Sequence, residues 1–212
     1  PRAALVATSV RIGIVGSGMI GSTTARLFAA AGHDVVIANS RGPDSLAGLV
    51  SELGPSARAA TVEDAVAVAD VVLLALPWVR RESLPDGDLF AAKVVVDATN
   101  AFGPGGVVDV EPSTSSEEVL RLMPRARLVK AFNTMNFRPL GSRGFEEPRL
   151  ALPLAGDDAE AKAVVARLIE EIGFEPVDTG SLAEGGRRQQ PGSPLFNEPV
   201  SGDEARARLA SA

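Results

Sequence analysis

VRIGIVGSGMIGSTTARLFAAAGHDVVIANSR, residues 10–41, runs from strand to glycine-rich turn to helix to strand. VRIGIVG (10–16) is apolar almost throughout and reads as a buried strand. Ile20, Thr24, Leu27, Phe28 and Ala31 then recur at helical spacing, Gly32 stops that helix, and DVVIANS (34–40) is a second strand. Between them lies Gly16-Ser17-Gly18-Met19-Ile20-Gly21, with the spacing G-x-G-x-x-G. Alone, that spacing marks only a glycine turn. Between a strand and a helix each glycine has its own function. Gly16 permits the tight turn, Gly18 lets a pyrophosphate approach the backbone closely, and Gly21 lets the helix pack on the strand. The helix N-terminus adds free N–H groups and a partial positive charge. The stretch therefore predicts a dinucleotide site in which Ser17, Met19 and Ile20 flank the phosphates.

The end of the second strand specifies which dinucleotide. An Asp or Glu there would accept hydrogen bonds from a ribose 2'-hydroxyl and repel a 2'-phosphate. This chain has Asn39, Ser40 and Arg41 instead, with Ser45 at the next helix start. Arg41 offers a fixed cationic fork suited to phosphate and Ser40 a small donor. The expectation is NADP(H), with Asp44 as a competing partner for Arg41.

Working outward, Leu46, Leu49, Val50 and Leu53 mark a short helix ending at Gly54, and residues 57–60 a weak third strand. Thr61 with Asp64 starts a helix through Val68. DVVLLALPW (70–78), KVVVDATN (93–100) and RLVKAFNT (127–134) are further strands, and Ser115 or Ser116 caps a helix through Leu122. Strands at 150–156 and 174–178 flank a helix at 158–172. Continuous apolar strands are buried on both faces, which implies a parallel sheet covered by helices. The expected fold is α/β: a Rossmann-type, doubly wound, mostly parallel sheet with helices on both faces. It occupies 1–182, and residues 183–212 form a C-terminal arm with a short helix. Leu195 and Phe196 would anchor that arm on the domain or on a partner subunit.

Composition narrows the function. The chain has 212 residues and a formal net charge of -6, which disfavours a nucleic-acid partner. With no cysteine and one histidine, thiolate chemistry, disulfides and a His-rich metal site are excluded, and no metal is expected. No apolar run reaches the roughly 18 residues of a membrane span. The opening PRAALVATSV has one charge and runs into a strand, unlike a secretory signal. The protein reads as cytoplasmic and without a membrane partner.

Ligands of open parallel sheets bind beyond the carboxyl ends of the strands. There the chain places Leu76, Pro77 and Trp78, then Asn100, then Asn133, Thr134, Met135 and Phe137. The amides and the hydroxyl suit a carboxamide or a heterocycle edge. Trp78, with Phe137, could line a slot for stacked rings, or belong to the core as Phe132 does. With no tyrosine, no Tyr-Lys pair is available. His33 falls in the turn at the opposite end of the sheet, and Lys130 is the one proton donor near the site. Such a site positions rings and lacks acid–base machinery. That favours hydride transfer between a nicotinamide and a second redox cofactor, which needs mainly proximity.

GIVGSGMIG, NSR, ALPW, DATN, LVKAFNT, PLAGDD and GFEPVDTGSL, in that order over about residues 10–182, resemble the NADPH-dependent coenzyme F420 reductases, or F420:NADP oxidoreductases. Similar domains reduce other acceptors, including the cytoplasmic domain of membrane ferric reductases. The resemblance implies direct hydride transfer between NADP(H) and coenzyme F420, the small-molecule acceptor, without a required catalytic side chain. Ser17, Gly18, Met19 and Ile20 would hold the pyrophosphate and Ser40 and Arg41 the 2'-phosphate. Leu76, Pro77 and residues 133–137 would surround the rings. Asn133 stands where well-studied archaeal members carry histidine, and the polar arm replaces an apolar helical region; both departures fall on the acceptor side. Arg187 and Arg188 could meet the acidic tail of the coenzyme, or be a solvated basic pair. Reduction of a flavin, a ferric chelate or an imine, or NADPH binding without turnover, are the alternatives. A homodimer is expected, since a small domain with a long arm gains from a partner that closes its site.

Overall fold

The computed structural model describes residues 9–211. The reading of the opening stretch therefore falls mostly on residues outside those described.

Eight strands form one sheet: β1 (Arg11–Val15), β2 (Asp34–Ala38), β3 (Ala57–Ala59), β4 (Val71–Leu74), β5 (Val94–Asp97), β8 (Arg127–Ala131), β9 (Ala151–Gly156) and β10 (Glu175–Asp178). Their order is β10-β9-β8-β5-β4-β1-β2-β3. From β3 to β8 every neighbouring pair is parallel; β9 runs antiparallel to β8, and β10 parallel to β9. The strand order reverses at β1, so the crevice at its carboxyl end is the topological switch point where ligands of this architecture bind. A small hairpin, β6 (Phe102–Gly103) and β7 (Gly106–Val107), stands apart. Its Phe-Gly-Pro-Gly-Gly-Val sequence gives no alternating run long enough to be read as paired strands.

Successive strand residues serve opposite faces. Ile12, Ile14, Leu73, Val96 and Val129 face one core with Phe28 of helix α1 (Met19–Ala30), Leu140 of α5 (Phe137–Ser142) and Leu168 of α6 (Ala159–Glu171). Val72, Leu74, Val95 and Leu128 face the other, with Val66 of α3 (Val62–Val68) and Val119 of α4 (Ser115–Leu122). Burial on both faces is what the unbroken apolar runs encode. The short helix α2 (Ala47–Leu53) lies against the outer strands.

Most expected strands overrun the observed ones at their carboxyl ends. Val71–Leu74 stops before Ala75-Leu76-Pro77-Trp78, Val94–Asp97 before Ala98-Thr99-Asn100, and Arg127–Ala131 before Phe132-Asn133-Thr134. Trp78, Ala98 and Phe132 in those tails are buried in the core without extending the ladder. The helix cap at Ser115 or Ser116 is also corrected. Thr114 is the cap and forms a reciprocal box with Glu117, while both serines lie inside the first turn, buried.

The arm lies on its own domain. Helix α7 (Glu184–Arg187) packs on β9, and α8 (Gly202–Ala210) on β9 and β10. Leu195, Val200 and Ala205 bury against Ala151 and Val177. Because β9 is antiparallel to β8, its first residues stand at the same edge as the end of β8. The segment 188–201, a strap between the two helices, crosses that edge.

Candidate dinucleotide and acceptor site

The glycine turn has the geometry that its sequence promised. Gly16 sits at φ 111°, closed to most side chains, and a Cβ there would meet the Ala75 carbonyl oxygen at 2.3 Å. A Cβ on Gly21 would lie 2.0 Å from the Gly16 carbonyl oxygen, so the helix approaches the strand as closely as backbone allows. Gly18 differs from both. Its φ of -71° and ψ of -167° are ordinary, and a Cβ there would meet nothing within 4 Å. Neither conformation nor the protein's own packing demands glycine at 18; only something approaching from outside would. Gly18 is the N-cap of α1, which has no side-chain cap and no acidic residue in its first turn. The N–H groups of Met19, Ile20 and Gly21 therefore have no intrahelical acceptor and are directed at that approach. Met19 is exposed and Ile20 half-buried against the core.

At the end of β2, Asn39 shapes the turn. Its Oδ1 accepts from the Arg41 N–H at 2.8 Å, and its Nδ2 donates to Ser17 Oγ at 2.9 Å and Ser45 Oγ at 3.1 Å. Asn39 and Ser45 thus tie the ribose-end turn to the phosphate turn, leaving Ser40 and Arg41 exposed at its tip. The Arg41 guanidinium has no acidic partner among the described residues, and Asp44 does not pair with it. A chain of net charge -6 that leaves this cation unneutralised next to a helix N-terminus has a local site for anionic groups. The cradle and Arg41 together fit a dinucleotide bearing a 2'-phosphate.

At the acceptor side the structure decides between the two readings of Trp78 and gives the amides partners inside the protein. Trp78 is core, not slot wall. Its ring is buried among Leu74, Phe90 and Val119, Nε1 donates to the Ser115 carbonyl at 3.0 Å, and the Arg81 guanidinium covers it at 3.7 Å. Asn133 and Asn100 bond to each other, while Asn133 Oδ1 takes no hydrogen bond from the described residues. Asn100 Nδ2 donates to the Asn133 carbonyl and Asn133 Nδ2 to Asn100 Oδ1, both at 3.0 Å. The second Asn133 Nδ2 hydrogen goes to the Gln189 carbonyl on the strap, at 2.7 Å. Thr134 is buried too, and its carbonyl accepts from the Asn197 N–H at 2.7 Å. Leu76 is half-buried and Pro77 exposed at the turn after β4. Phe137 is half-buried at the start of α5, and Arg138 lies 5.8 Å over its ring. Phe132 is core as expected, edge-on to Phe28 at 6.0 Å, and reaches it by adopting φ 65°. That conformation costs a bulky residue about 1–3 kcal/mol.

Beneath these residues lies a network the sequence showed only in part. Lys130 is fully buried, registered opposite Asp97, with Nζ 3.9 Å from Asp97 Oδ2. Its Nζ donates to the Thr99 carbonyl, Ser115 Oγ and Ser116 Oγ at 3.0–3.2 Å, and Ser116 Oγ donates to Asp97 Oδ2 at 2.5 Å. Burial pulls the Lys130 ammonium below the ordinary lysine range, and Asp97 opposes that. The group joins β5, β8 and α4 under the turns that carry Asn100 and Asn133. It is sealed from solvent, so it is not placed to exchange protons with a ligand. His33, as expected, is at the opposite edge, with Nε2 3.0 Å from Glu171 Oε2. Arg187 and Arg188 are tied to backbone: Arg187 to the Pro112 and Ala183 carbonyls and Arg188 to that of Thr179. Both are anchored to backbone carbonyls at the start of the strap. Among the described residues there is no cluster of metal-binding side chains and no helix long and apolar enough to cross a membrane.

The sequence model of the family described as NADP oxidoreductase, coenzyme F420-dependent, matches residues 11–101. The crystal structure of hypothetical protein SMa0349 from Sinorhizobium meliloti is 37% identical, covers 92% of this chain and 96% of that one, and superposes with a TM-score of 0.81. The chain belongs to this family. A second crystal structure, from Arthrobacter sp. FB24 and provisionally described as an F420-dependent NADP-reductase, is 26% identical to this family member. It covers 91% of this chain and all of that one, with a TM-score of 0.75. Metalloreductase STEAP3 of Rattus norvegicus is 33% identical over 175 residues, 82% of this chain and 34% of that one. The chain spans less than half the length of the curated relatives it matches.

Proposed function

We propose that the protein is an oxidoreductase that transfers a hydride between NADP(H) and a planar redox acceptor, coenzyme F420 in the first reading. NADPH supplies the hydride, two electrons with one proton, and the acceptor ring takes it up with one further proton from water. The observation that carries the nucleotide is Gly18: an unstrained glycine with open space at its Cβ, at the uncapped start of α1. Its neighbours hold the pyrophosphate through the N–H groups of Met19 and Ile20. Arg41, with Ser40, selects the 2'-phosphate. The sealed Lys130–Asp97 network gives the site no exposed acid or base at the ends of β5 and β8. That suits a hydride passed between stacked rings, where orientation is the main requirement. The family assignment supports F420 as the acceptor.

The likeness to the rat metalloreductase supports a second reading, in which a flavin or a metal chelate takes the electrons. One experiment separates them. The purified protein is mixed with NADPH and oxidised coenzyme F420, with NADH as control, and the deazaflavin absorbance is followed. NADPH-dependent bleaching establishes the first reading. Tight NADPH binding without bleaching, together with turnover of FMN or ferric citrate, establishes the second.

A further inference from the structure

The chain contains three methionines and no cysteine. Met123 and Met135 are 0% and 5% exposed, in the core. Met19 is 64% exposed, so its thioether is the one sulfur that an oxidant in solution reaches. Packing does not account for this residue. Ile20 beside it packs against the core, and Met19 stands out into solvent.

Its place in the fold is the first position of α1, directly after Gly18. Helical side chains lean back toward the N-terminus of their helix, so a long side chain at the first position lies toward the helix end. There the N–H groups of Met19, Ile20 and Gly21 have no intrahelical acceptor. The helix has no side-chain cap, and its first turn carries no carboxylate. Gly18 puts no side chain between those N–H groups and the thioether, since a Cβ there would meet nothing within 4 Å. The Ser17 hydroxyl is engaged by Asn39 Nδ2 at 2.9 Å.

A thioether is a weak hydrogen-bond acceptor, so reduced Met19 leaves the cradle free for a pyrophosphate. A sulfoxide is polar and a strong acceptor. Its oxygen hangs from Sδ, the atom that corresponds to Cδ of glutamine, and so stands where glutamine carries Oε1. Side-chain oxygens in the first turn cap helices, and the positive end of the helix favours them.

We propose that Met19 is a peroxide-sensitive modification site that closes the phosphate cradle. The sulfur lone pair attacks one oxygen of hydrogen peroxide or of an organic hydroperoxide. The S–O bond forms as the O–O bond breaks, and sulfur gives up two electrons. The departing oxygen takes the proton of the transferred one and leaves as water or an alcohol. The sulfoxide oxygen then accepts from the first-turn N–H groups and fills the space of the pyrophosphate. A methionine sulfoxide reductase reverses the step, oxidising two thiols to a disulfide and releasing the oxygen as water. Peroxide thereby halts NADPH consumption without acting on the acceptor side. The inference rests on the reading of residues 16–21 as the pyrophosphate cradle.

The full-length protein is treated with hydrogen peroxide, the peroxide is removed, and oxidised residues are located by peptide mass spectrometry. NADP+ affinity by titration calorimetry and the melting temperature without nucleotide are measured before and after. Met19→Leu, which has no sulfur at the turn, is treated alike and compared with itself untreated. Met19→Gln, untreated, puts an amide oxygen where the sulfoxide oxygen stands. The expected result is oxidation of Met19 ahead of Met123 and Met135, with NADP+ binding by the wild type weakened about tenfold or more. The nucleotide-free melting temperature is unchanged or raised. Met19→Leu keeps its own affinity through the treatment, and Met19→Gln binds about tenfold or more weakly than Met19→Leu. Unaltered affinity with Met19 oxidised, an equal loss in Met19→Leu, or Met19→Gln binding like Met19→Leu would each overturn the switch and leave the cradle standing. A lowered melting temperature accompanying the loss also overturns it, because that marks damage to the core. No NADP+ binding by the untreated wild type removes the cradle reading, and the switch with it.

Discussion

Replacing Gly18 by alanine adds one methyl group at the one glycine of the phosphate turn where the fold has room for it. The same methyl at Gly16 or Gly21 would press to 2.3 or 2.0 Å against backbone oxygen, so those variants report on folding alone. At Gly18 the backbone is already in an extended conformation that alanine adopts, with no atom inside 4 Å. Two small terms act on stability. Alanine stiffens the unfolded chain, favouring folding by about 0.4–1 kcal/mol, and is a poorer N-cap than glycine by about 0.5–1 kcal/mol. They offset to within about 0.5 kcal/mol, a change of at most about 2 °C in a chain of this size. Binding has no such compensation. The methyl stands where a pyrophosphate must come within about 3 Å of the helix N–H groups, and losing two charge-assisted hydrogen bonds costs about 3–6 kcal/mol. Scanning calorimetry makes the comparison. At NADPH one hundred times its wild-type dissociation constant, the wild type gains about 2.7 kcal/mol, a rise of about 5–11 °C. The Gly18→Ala protein should melt like the wild type without nucleotide and show no rise with it. A retained NADPH-induced rise would refute the cradle; a depressed melting temperature without nucleotide would show that Gly18 serves the scaffold.

Arg41→Ala should weaken NADPH binding by about 1.5–3 kcal/mol and leave NADH almost unchanged by titration calorimetry, and equal losses would remove the 2'-phosphate role. Trp78→Phe should cost about 1–3 kcal/mol in urea unfolding, because the buried Ser115 carbonyl loses its indole donor, with NADPH affinity intact; an affinity loss would return Trp78 to the site. Lys130→Met leaves Asp97 buried without its cation and should destabilise by about 3–5 kcal/mol, with recovery when Asp97→Asn is added. No recovery in the double variant would show that the lysine's bonds to Thr99, Ser115 and Ser116 matter more than the charge pair. Arg127, then the Ala161 N–H, holds the Asp158 carboxyl well below the usual carboxylate range. A depressed folded-state value means stabilisation that is complete above the unfolded value of about 4 and lost as pH falls through the folded one. Asp158→Asn should therefore flatten the acid limb of the stability–pH curve, and an unchanged limb would mean that other carboxylates set it.

The strands and their order of appearance could be read because each is a short apolar run and each helix has a 3.6-residue period, both local properties. Their carboxyl ends could not be placed. Leu76, Trp78 and Phe132 continue the apolar run of the strands before them, but they lie outside the ladder. The helix cap slipped by one residue because Thr114, Ser115 and Ser116 are equally good caps in isolation. Only the reciprocal bond with Glu117 chooses among them.

The sequence by itself located the glycine turn and the exposed cationic turn after the next strand. Gly16, Gly18 and Gly21 act within one turn, and Arg41 stands at a fixed place after the next strand, so neighbours along the chain suffice. The tertiary structure alone decided the acceptor side. Asn100, Asn133 and Gln189 are 33 and 56 residues apart in the chain and meet only when β8, β5 and the strap come together. An amide or an indole has no intrinsic preference between ligand and core. Trp78 went to the core because the Ser115 carbonyl needed a donor there. Asn133 bonds to Asn100 and to the strap because the end of β8 stands beside the end of β5 and under the strap.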